Sequence, residues 1–208
     1  MGTPKNKPVG SLDYVLAIDS ETTGLKFGAD DPSEGHQAVS WGVIVADAYT
    51  LKPVEELYIE IKWNDTSIKS REKDPKFGKR AEEIHGLTQS YLEKNGVSEE
   101  DAAVQIAELI MKYWGPTVSV KTLGHNVHTF DMPFLRAMLR RVGIEVKFGG
   151  RHYDTNSAGF IAFGTFNSDD LFSLIGYEAR DNHNALDDAK MALGSARAIR
   201  TIMDAAMG

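Results

Sequence analysis

The stretch His183-Asn184-Ala185-Leu186-Asp187-Asp188-Ala189 opens the last helical segment of the chain. From Leu186 to Met203, small and apolar residues recur at helical spacing, which predicts an amphipathic helix. That periodicity puts Asp188 at the margin of the buried face, whereas Asp187 points toward solvent. A half-buried carboxylate needs a partner, and a metal ion is one candidate. The alternative is a first-turn acid that the helix dipole favours.

Two further acids follow the first apolar segment. Tyr14 to Asp19 predicts a strand, and Ser20 to Gly24 predicts a polar turn after it. Asp19 and Glu21 are two residues apart, so in an extended chain their side chains share a face. Two carboxylates so placed repel each other unless a cation lies between them, although both could instead be solvated acids at a strand end.

A fourth acid opens an inner helix. The apolar residues after Asp131 lie at helical spacing from it: Phe134, Leu135, Met138, Leu139 and Val142. Asp131 therefore falls in the middle of the apolar face of that helix. The alternative is an N-cap aspartate with Pro133 in the first turn.

The order of elements predicts an α/β fold. Further strands are expected over Ala38–Ala46, Val54–Ile61, Val118–Leu123 and Phe148–Asp154. A helix after Ser98 is expected to bury Val104, Ala107, Ile110, Met111 and Trp114. This order suggests a mixed sheet with helices on its faces, in which the separated acids can converge. Four carboxylates can hold two divalent ions about 4 Å apart, and oxygen ligands favour Mg²⁺ or Mn²⁺.

Composition bounds the class of protein. We expect a flexible tail over residues 1–12 and one domain over residues 13–208 of the 208-residue chain. Cysteine is absent, no segment resembles a signal peptide or a membrane span, and a cytoplasmic location is expected. The net charge of -7 argues against binding nucleic acid by bulk charge, but bound cations can reverse the sign within a site.

One connection is basic in this acidic chain. Residues Lys62 to Arg80 contain seven basic and three acidic side chains. The segment is either a solvated loop or a mobile arm that contacts a phosphate backbone. Elsewhere, we expect His36 and His152 at the surface, and His125 and His128 in structural or substrate-lining roles.

Three motifs together resemble those of the DnaQ-like (DEDDh) 3′–5′ exonucleases. Asp19 to Gly24 is similar to the first motif, DxETTG, and Asn126 to Leu135 is similar to the second. His183 to Ala189 matches the third, HxALxDA, and Ile84 to Thr88 resembles the IHGIT segment between the first two. The resemblance implies an RNase H-like fold, a mixed five-stranded sheet flanked by helices.

The resemblance also implies a two-metal mechanism with Mg²⁺ or Mn²⁺. Asp19, Glu21 and Asp188 would hold one ion, with Asp19 bridging to a second that Asp131 completes. His183 would accept the proton of the attacking water. The product would be a nucleoside 5′-monophosphate, released from the 3′ end.

The substrate implied is the 3′ end of single-stranded nucleic acid, with DNA favoured. Its expected contacts are Thr22, Thr23, Gly24, Leu25, His85, Asn126 and Phe130. An RNA-trimming or oligoribonuclease-type enzyme of the same fold is the alternative, because contacts to the 2′-hydroxyl leave no motif. A non-catalytic binding module, or a proofreading subunit that docks a polymerase or replication partner, is a second alternative. The sequence leaves the oligomeric state open.

Overall fold

The computed structural model describes most of the chain. Described are residues 13–27, 35–64, 69, 75–165, 167–178 and 183–207, with the backbone alone for residues 75–78. The expected tail over residues 1–12 lies outside this part, as do residues 65–68 and 70–74 of the basic connection. No helix among the described residues is long and apolar enough to cross a membrane.

The described residues form five strands and seven helices. The strands are β1 (Tyr14–Thr22), β2 (Ala38–Asp47), β3 (Pro53–Glu60), β4 (Val120–Gly124) and β5 (Phe148–Asp154). The helices are α1 (Pro75–His85), α2 (Gln89–Asn95), α3 (Glu99–Trp114), α4 (Asp131–Arg141), α5 (Thr155–Phe163), α6 (Ser168–Leu174) and α7 (Ala185–Met207).

The strands make one mixed sheet in the order β3-β2-β1-β4-β5. β1 pairs antiparallel with β2 and parallel with β4, so it lies at the centre. Leu16 and Ile18 belong to one apolar cluster, whereas Val15 and Ala17 belong to the cluster on the opposite face. A strand that is apolar on both faces is stable only between two layers of helices, which is the predicted architecture.

Strand β1 extends further than the sequence suggests. The expected turn at Ser20 is wrong, because Ser20 and Glu21 continue the pairing with Trp41 and Ser40 of β2. The ladder shifts register only between Glu21 and Thr22. Pairing with a long neighbouring strand therefore overrides the weak strand propensity of these polar residues.

A glycine lets the last helix approach the sheet. A Cβ atom on Gly42 would lie 2.1 Å from the carbonyl oxygen of Ala185, the first residue of α7. Gly42 pairs with Asp19 in the sheet, so the start of α7 lies beside the end of β1 that carries the acids. The Asn184 side chain caps this helix by accepting hydrogen bonds from the backbone N–H groups of Leu186 and Asp187.

Two histidines expected at the surface are not there. His36 is buried, and a Cβ atom on Gly24 would lie 2.5 Å from the His36 ring. His152 is half-buried on β5, where its Nδ1 lies 2.5 Å from the Thr122 hydroxyl. Both expectations failed because isolated polar residues carry no periodicity from which burial can be predicted.

Helix α3 is rotated from its predicted orientation. Val104 and Met111 are 40% and 51% exposed, whereas Ala103 and Ile106 are fully buried. The segment carries two overlapping apolar stripes, and small alanines let the helix pack closely along one of them. The elements that pack against α3 decide which stripe is buried, and the sequence pattern of the helix contains no information about them.

Candidate active site

All five predicted catalytic positions line one cavity. It has a volume of about 350 Å³ and contains Asp19, Glu21, Asp131, His183 and Asp188. β1 supplies the first two, while the starts of α4 and α7 supply the acids Asp131 and Asp188. The carboxyl ends of strands and the starts of helices meet at this end of the sheet. Tertiary folding thus brings together residues more than 160 positions apart.

Asp131 is the most deeply buried of these acids, at 1% exposure. Its Oδ1 accepts a hydrogen bond of 2.7 Å from the Ser20 hydroxyl. Burial raises the pKa of Asp131 to about 7, and the charge of Glu21 acts in the same direction. The Ser20 hydrogen bond opposes that rise. A carboxylate that is costly to ionise alone is suited to a bound cation.

The alternative role for Asp131 as an N-cap is wrong. The N-cap of α4 is Phe130, and no side chain caps that end of the helix. Asp131 is instead the first helical residue, and its side chain points inward to β1. Ser20 is a residue that sequence reasoning missed, since a serine between two acids gives no signal of a partner 111 residues away.

Glu21, His183 and Asp188 form the tightest group in the cavity. One potential ligand atom from each lies within 4.8 Å of the other two, which among the described residues identifies a candidate metal site. Glu21 and Asp188 are 7% and 5% exposed. His183 Nδ1 lies 3.2 Å from Asp188 Oδ2. Asp187, by contrast, is exposed, as expected from the helical periodicity.

The start of α7 is tied to α1 through the backbone. The His183 N–H donates a hydrogen bond of 3.1 Å to the carbonyl oxygen of Ile84. The next residue, His85, is buried, and its Nδ1 accepts from the Leu87 N–H. Burial lowers the pKa of His85 to about 4; the nearby His183 adds to this, while the Thr22 carbonyl opposes it. His85 is therefore a neutral side chain at physiological pH.

A second cavity, of about 450 Å³, adjoins the first. Five predicted substrate contacts line it: Thr22, Gly24, Leu25, His85 and Phe130. Glu21 lines both cavities, so the two share a wall. Leu25 is 64% exposed at its edge, as a side chain that contacts a ligand rather than the core can be.

The two remaining predicted contacts differ from these five. Asn126 lines the first cavity, with a φ of +58° and its N–H donating to Asp154 Oδ1. Thr23 lines neither cavity, because its hydroxyl accepts a hydrogen bond from the Gln37 N–H inside the fold. The register shift after Glu21 turns Thr23 away from the acids.

His125 also lines the first cavity, which agrees with its expected structural or substrate-lining role. The Thr155 hydroxyl donates to the Gly124 carbonyl oxygen and lies 3.2 Å from His125 Nδ1. Since the hydroxyl proton is used, Nδ1 is the donor to Thr155. Asp154 accepts from the Asn156 N–H, so Asp154 and Thr155 fix the end of β5.

Solved structures of bacterial exonuclease I have the same fold. Escherichia coli exonuclease I in complex with a dT13 oligonucleotide matches with a TM-score of 0.70 and 18% identity over 91% of this chain. A zinc-bound complex of that enzyme with single-stranded DNA matches with a TM-score of 0.69 and 18% identity, again over 91% of this chain. Exonuclease I from Methylocaldum szegediense matches with a TM-score of 0.65 and 20% identity over 90% of this chain.

The chain spans about two fifths of the length of these proteins, at 41%, 41% and 40% respectively. No curated protein sequence matches it. The model of the RNase_T exonuclease family, however, matches residues 16–194, which include every acid of the cavity. This chain belongs to the RNase_T family of exonucleases.

Proposed function

We propose that this chain is a metal-dependent 3′–5′ exonuclease that hydrolyses single-stranded nucleic acid, with DNA favoured, and releases nucleoside 5′-monophosphates. The observation that carries the proposal is the convergence of four acids and His183 in one cavity of an exonuclease-family fold. A binding module would not need all five groups, three of them buried carboxylates.

The donor atoms of the cavity fit divalent ions. Glu21 and Asp188 are buried and close together, and Asp131 has a raised pKa that a cation would reverse. Asp19, Glu21 and Asp188 would hold one ion, and Asp19 with Asp131 a second. Carboxylate oxygens favour Mg²⁺ or Mn²⁺. Bound there, the ions would supply a hydroxide nucleophile and stabilise charge on the leaving oxygen.

His183 would accept a proton at the mouth of the cavity. Its side chain is 38% exposed, and its Nδ1 faces Asp188. When Nδ1 donates to that carboxylate, Nε2 is the nitrogen that accepts a proton from an attacking water. The hydrogen bond to the Ile84 carbonyl oxygen positions the His183 backbone, which limits where the imidazole ring can lie.

The second cavity would bind the terminal 3′ nucleotide. Its walls include the side chains of Leu25 and Phe130, which suit the flat face of a base. The buried, neutral His85 could contact the sugar without adding charge. Exonuclease I has been solved with DNA oligonucleotides, which supports DNA as the favoured substrate here. The same cavity in an RNA-trimming enzyme would contact the 2′-hydroxyl.

One gel assay tests the proposal. Purified protein is incubated with 5′-labelled single-stranded DNA and RNA of matched sequence, with Mg²⁺, Mn²⁺ or EDTA. We expect a metal-dependent ladder shortening from the 3′ end, faster on DNA. Asp188→Asn should abolish it, whereas the matched change Asp187→Asn, at the exposed neighbour, should not. Preference for RNA would select the alternative substrate, and no cleavage with either metal would refute the proposal.

A further inference from the structure

A second groove lies away from the acidic cavity, between the end of α4 and the start of β5. Its volume is about 530 Å³, and its walls include Arg136, Arg140, Lys147 and Phe148. The acidic cavity lies at the other end of the sheet, where β4 and β5 finish. This groove is thus a separate surface that the proposed chemistry leaves unexplained.

The groove is basic in a chain whose net charge is -7. Three cations line it, against the single acid Glu145. Within the described part of the chain, Arg136, Arg140 and Lys147 form no ion pair with a carboxylate. Their positive charges are therefore not neutralised by the fold and attract an anionic ligand.

Some described cations outside the groove are neutralised by carboxylates. Arg141, next to Arg140 on α4, pairs with Glu99. Lys112 and Lys190 pair with Glu55 and Glu56, at 2.5 and 2.9 Å. What distinguishes the groove is that three such unpaired cations line one surface.

An aromatic ring adds a second recognition element. The Arg136 guanidinium lies 5.8 Å from the centroid of the Phe148 ring, which is half-buried at the start of β5. Stacking on a ring orders a guanidinium while leaving its N–H groups able to contact phosphate oxygens. Rings and guanidinium planes together are typical of surfaces that bind single-stranded nucleic acid.

Helix α4 runs from the acidic cavity to the groove. Asp131 begins this helix, and Arg136 and Arg140 lie about 8 and 14 Å further along its axis, four residues apart on one face. Beside that path, the rings of His128 and His152 stack with centroids 4.6 Å apart. Burial lowers the pKa of His152, and the charges of His128 and Arg136 lower it further, which agrees with this proximity.

We infer that the groove binds the phosphate backbone of the single strand upstream of the bond being cleaved. The inference rests on the proposed exonuclease function and adds a second contact region to it. At about 3.4 Å per nucleotide in a stacked strand, 14 Å corresponds to about four nucleotides. A long strand held in the cavity would therefore reach Arg140, whereas a dinucleotide would not.

The test compares substrates of two lengths. The double variant Arg136→Gln/Arg140→Gln is assayed on a 20-nucleotide strand and on a dinucleotide, at several salt concentrations. We expect KM for the 20-nucleotide strand to rise about tenfold, with kcat and the dinucleotide kinetics unchanged. The plot of log(kcat/KM) against log[salt] for the long strand should become less steep by about 1.4, at about 0.7 per lost phosphate contact.

One control variant and one further groove variant isolate the contribution of the groove. Lys52→Gln removes an exposed charge on the opposite side of the sheet and should leave both substrates unaffected. Lys147→Gln changes an exposed groove residue that does not stack on Phe148, and should raise KM for the long strand even if the double variant folds poorly. Unchanged kinetics on the long strand, or equal losses on both lengths, would overturn the inference. Absence of cleavage of any length by the unaltered protein would instead refute the exonuclease function.

Discussion

Replacing Ser20 with alanine is the sharpest test of how the cavity binds metal. The Ser20 hydroxyl donates to Asp131 Oδ1 at 2.7 Å, and this hydrogen bond lowers a pKa that burial raises to about 7. A hydrogen bond to a charged group contributes about 1.5–3 kcal/mol, which equals about one to two pKa units. Ser20→Ala should therefore raise the pKa of Asp131 further above its ordinary range.

The consequence for metal binding depends on pH. A divalent ion binds the ionised carboxylate, so a higher pKa makes protons compete more strongly. At pH 7.5 the apparent Mg²⁺ dissociation constant should rise about tenfold, whereas at pH 9 it should rise about twofold or less. The rise in the Mg²⁺ dissociation constant is smaller at pH 9 because Asp131 is largely ionised in both proteins at that pH.

The assay is a Mg²⁺ titration of exonuclease rate at the two pH values. Ser195→Ala is the matched control, since Ser195 is also fully buried but donates to the Met191 carbonyl within α7. It should leave the Mg²⁺ midpoint unchanged. A midpoint that Ser20→Ala does not move, or moves equally at both pH values, would refute the role assigned to this hydrogen bond.

Three further predictions follow from the same geometry. Gly42→Ala should lower the free energy of unfolding by about 1–3 kcal/mol in denaturant titrations and reduce activity about 10²-fold, because the added Cβ atom displaces the start of α7. Gly150→Ala, with open space around the added atom, should have neither effect. A fully active Gly42→Ala variant would contradict the packing argument. In EDTA, the contribution of Asp131 to stability should be lost as pH rises from about 4 to about 7, since folding raises its pKa and the folded state binds the extra proton. His85, whose pKa folding lowers, contributes with the opposite sign in both proteins, so the test is the difference in urea stability between the unaltered protein and Asp131→Asn. A difference that does not change with pH would disprove the contribution. His183→Asn should lower kcat about 10²–10⁴-fold with the Mg²⁺ midpoint unchanged, whereas a shifted midpoint would make the histidine a metal ligand.

Local sequence was sufficient where periodicity was strong. The apolar run after Tyr14 predicted the strand β1, and the 3.6-residue period put Asp131 in the middle and Asp188 at the margin of a buried helical face, where both are buried. Asp187, one residue away, was correctly expected in solvent. Period and phase are local properties of the chain, so they can be derived without knowing what packs against it.

The buried face of a helix could not be predicted where two apolar patterns overlapped. Helix α3 buries Ala103 and Ile106 rather than Val104 and Met111, because its neighbours select one of two apolar stripes. Helix α5 has apolar residues on all sides, so no orientation could be derived from its sequence. The polar end of β1 was expected to turn, yet pairing with β2 keeps it extended.

The sequence by itself determined the α/β class, the five residues proposed for catalysis and the family resemblance, since these depend on residue type and spacing along the chain. Only the tertiary structure decided which partners those residues meet. The Ser20–Asp131 hydrogen bond joins residues 111 positions apart, and the close approach of Ala185 to Gly42 joins two different layers. Such contacts are set by packing of whole elements, whose free energy is shared among many side chains and leaves no local pattern.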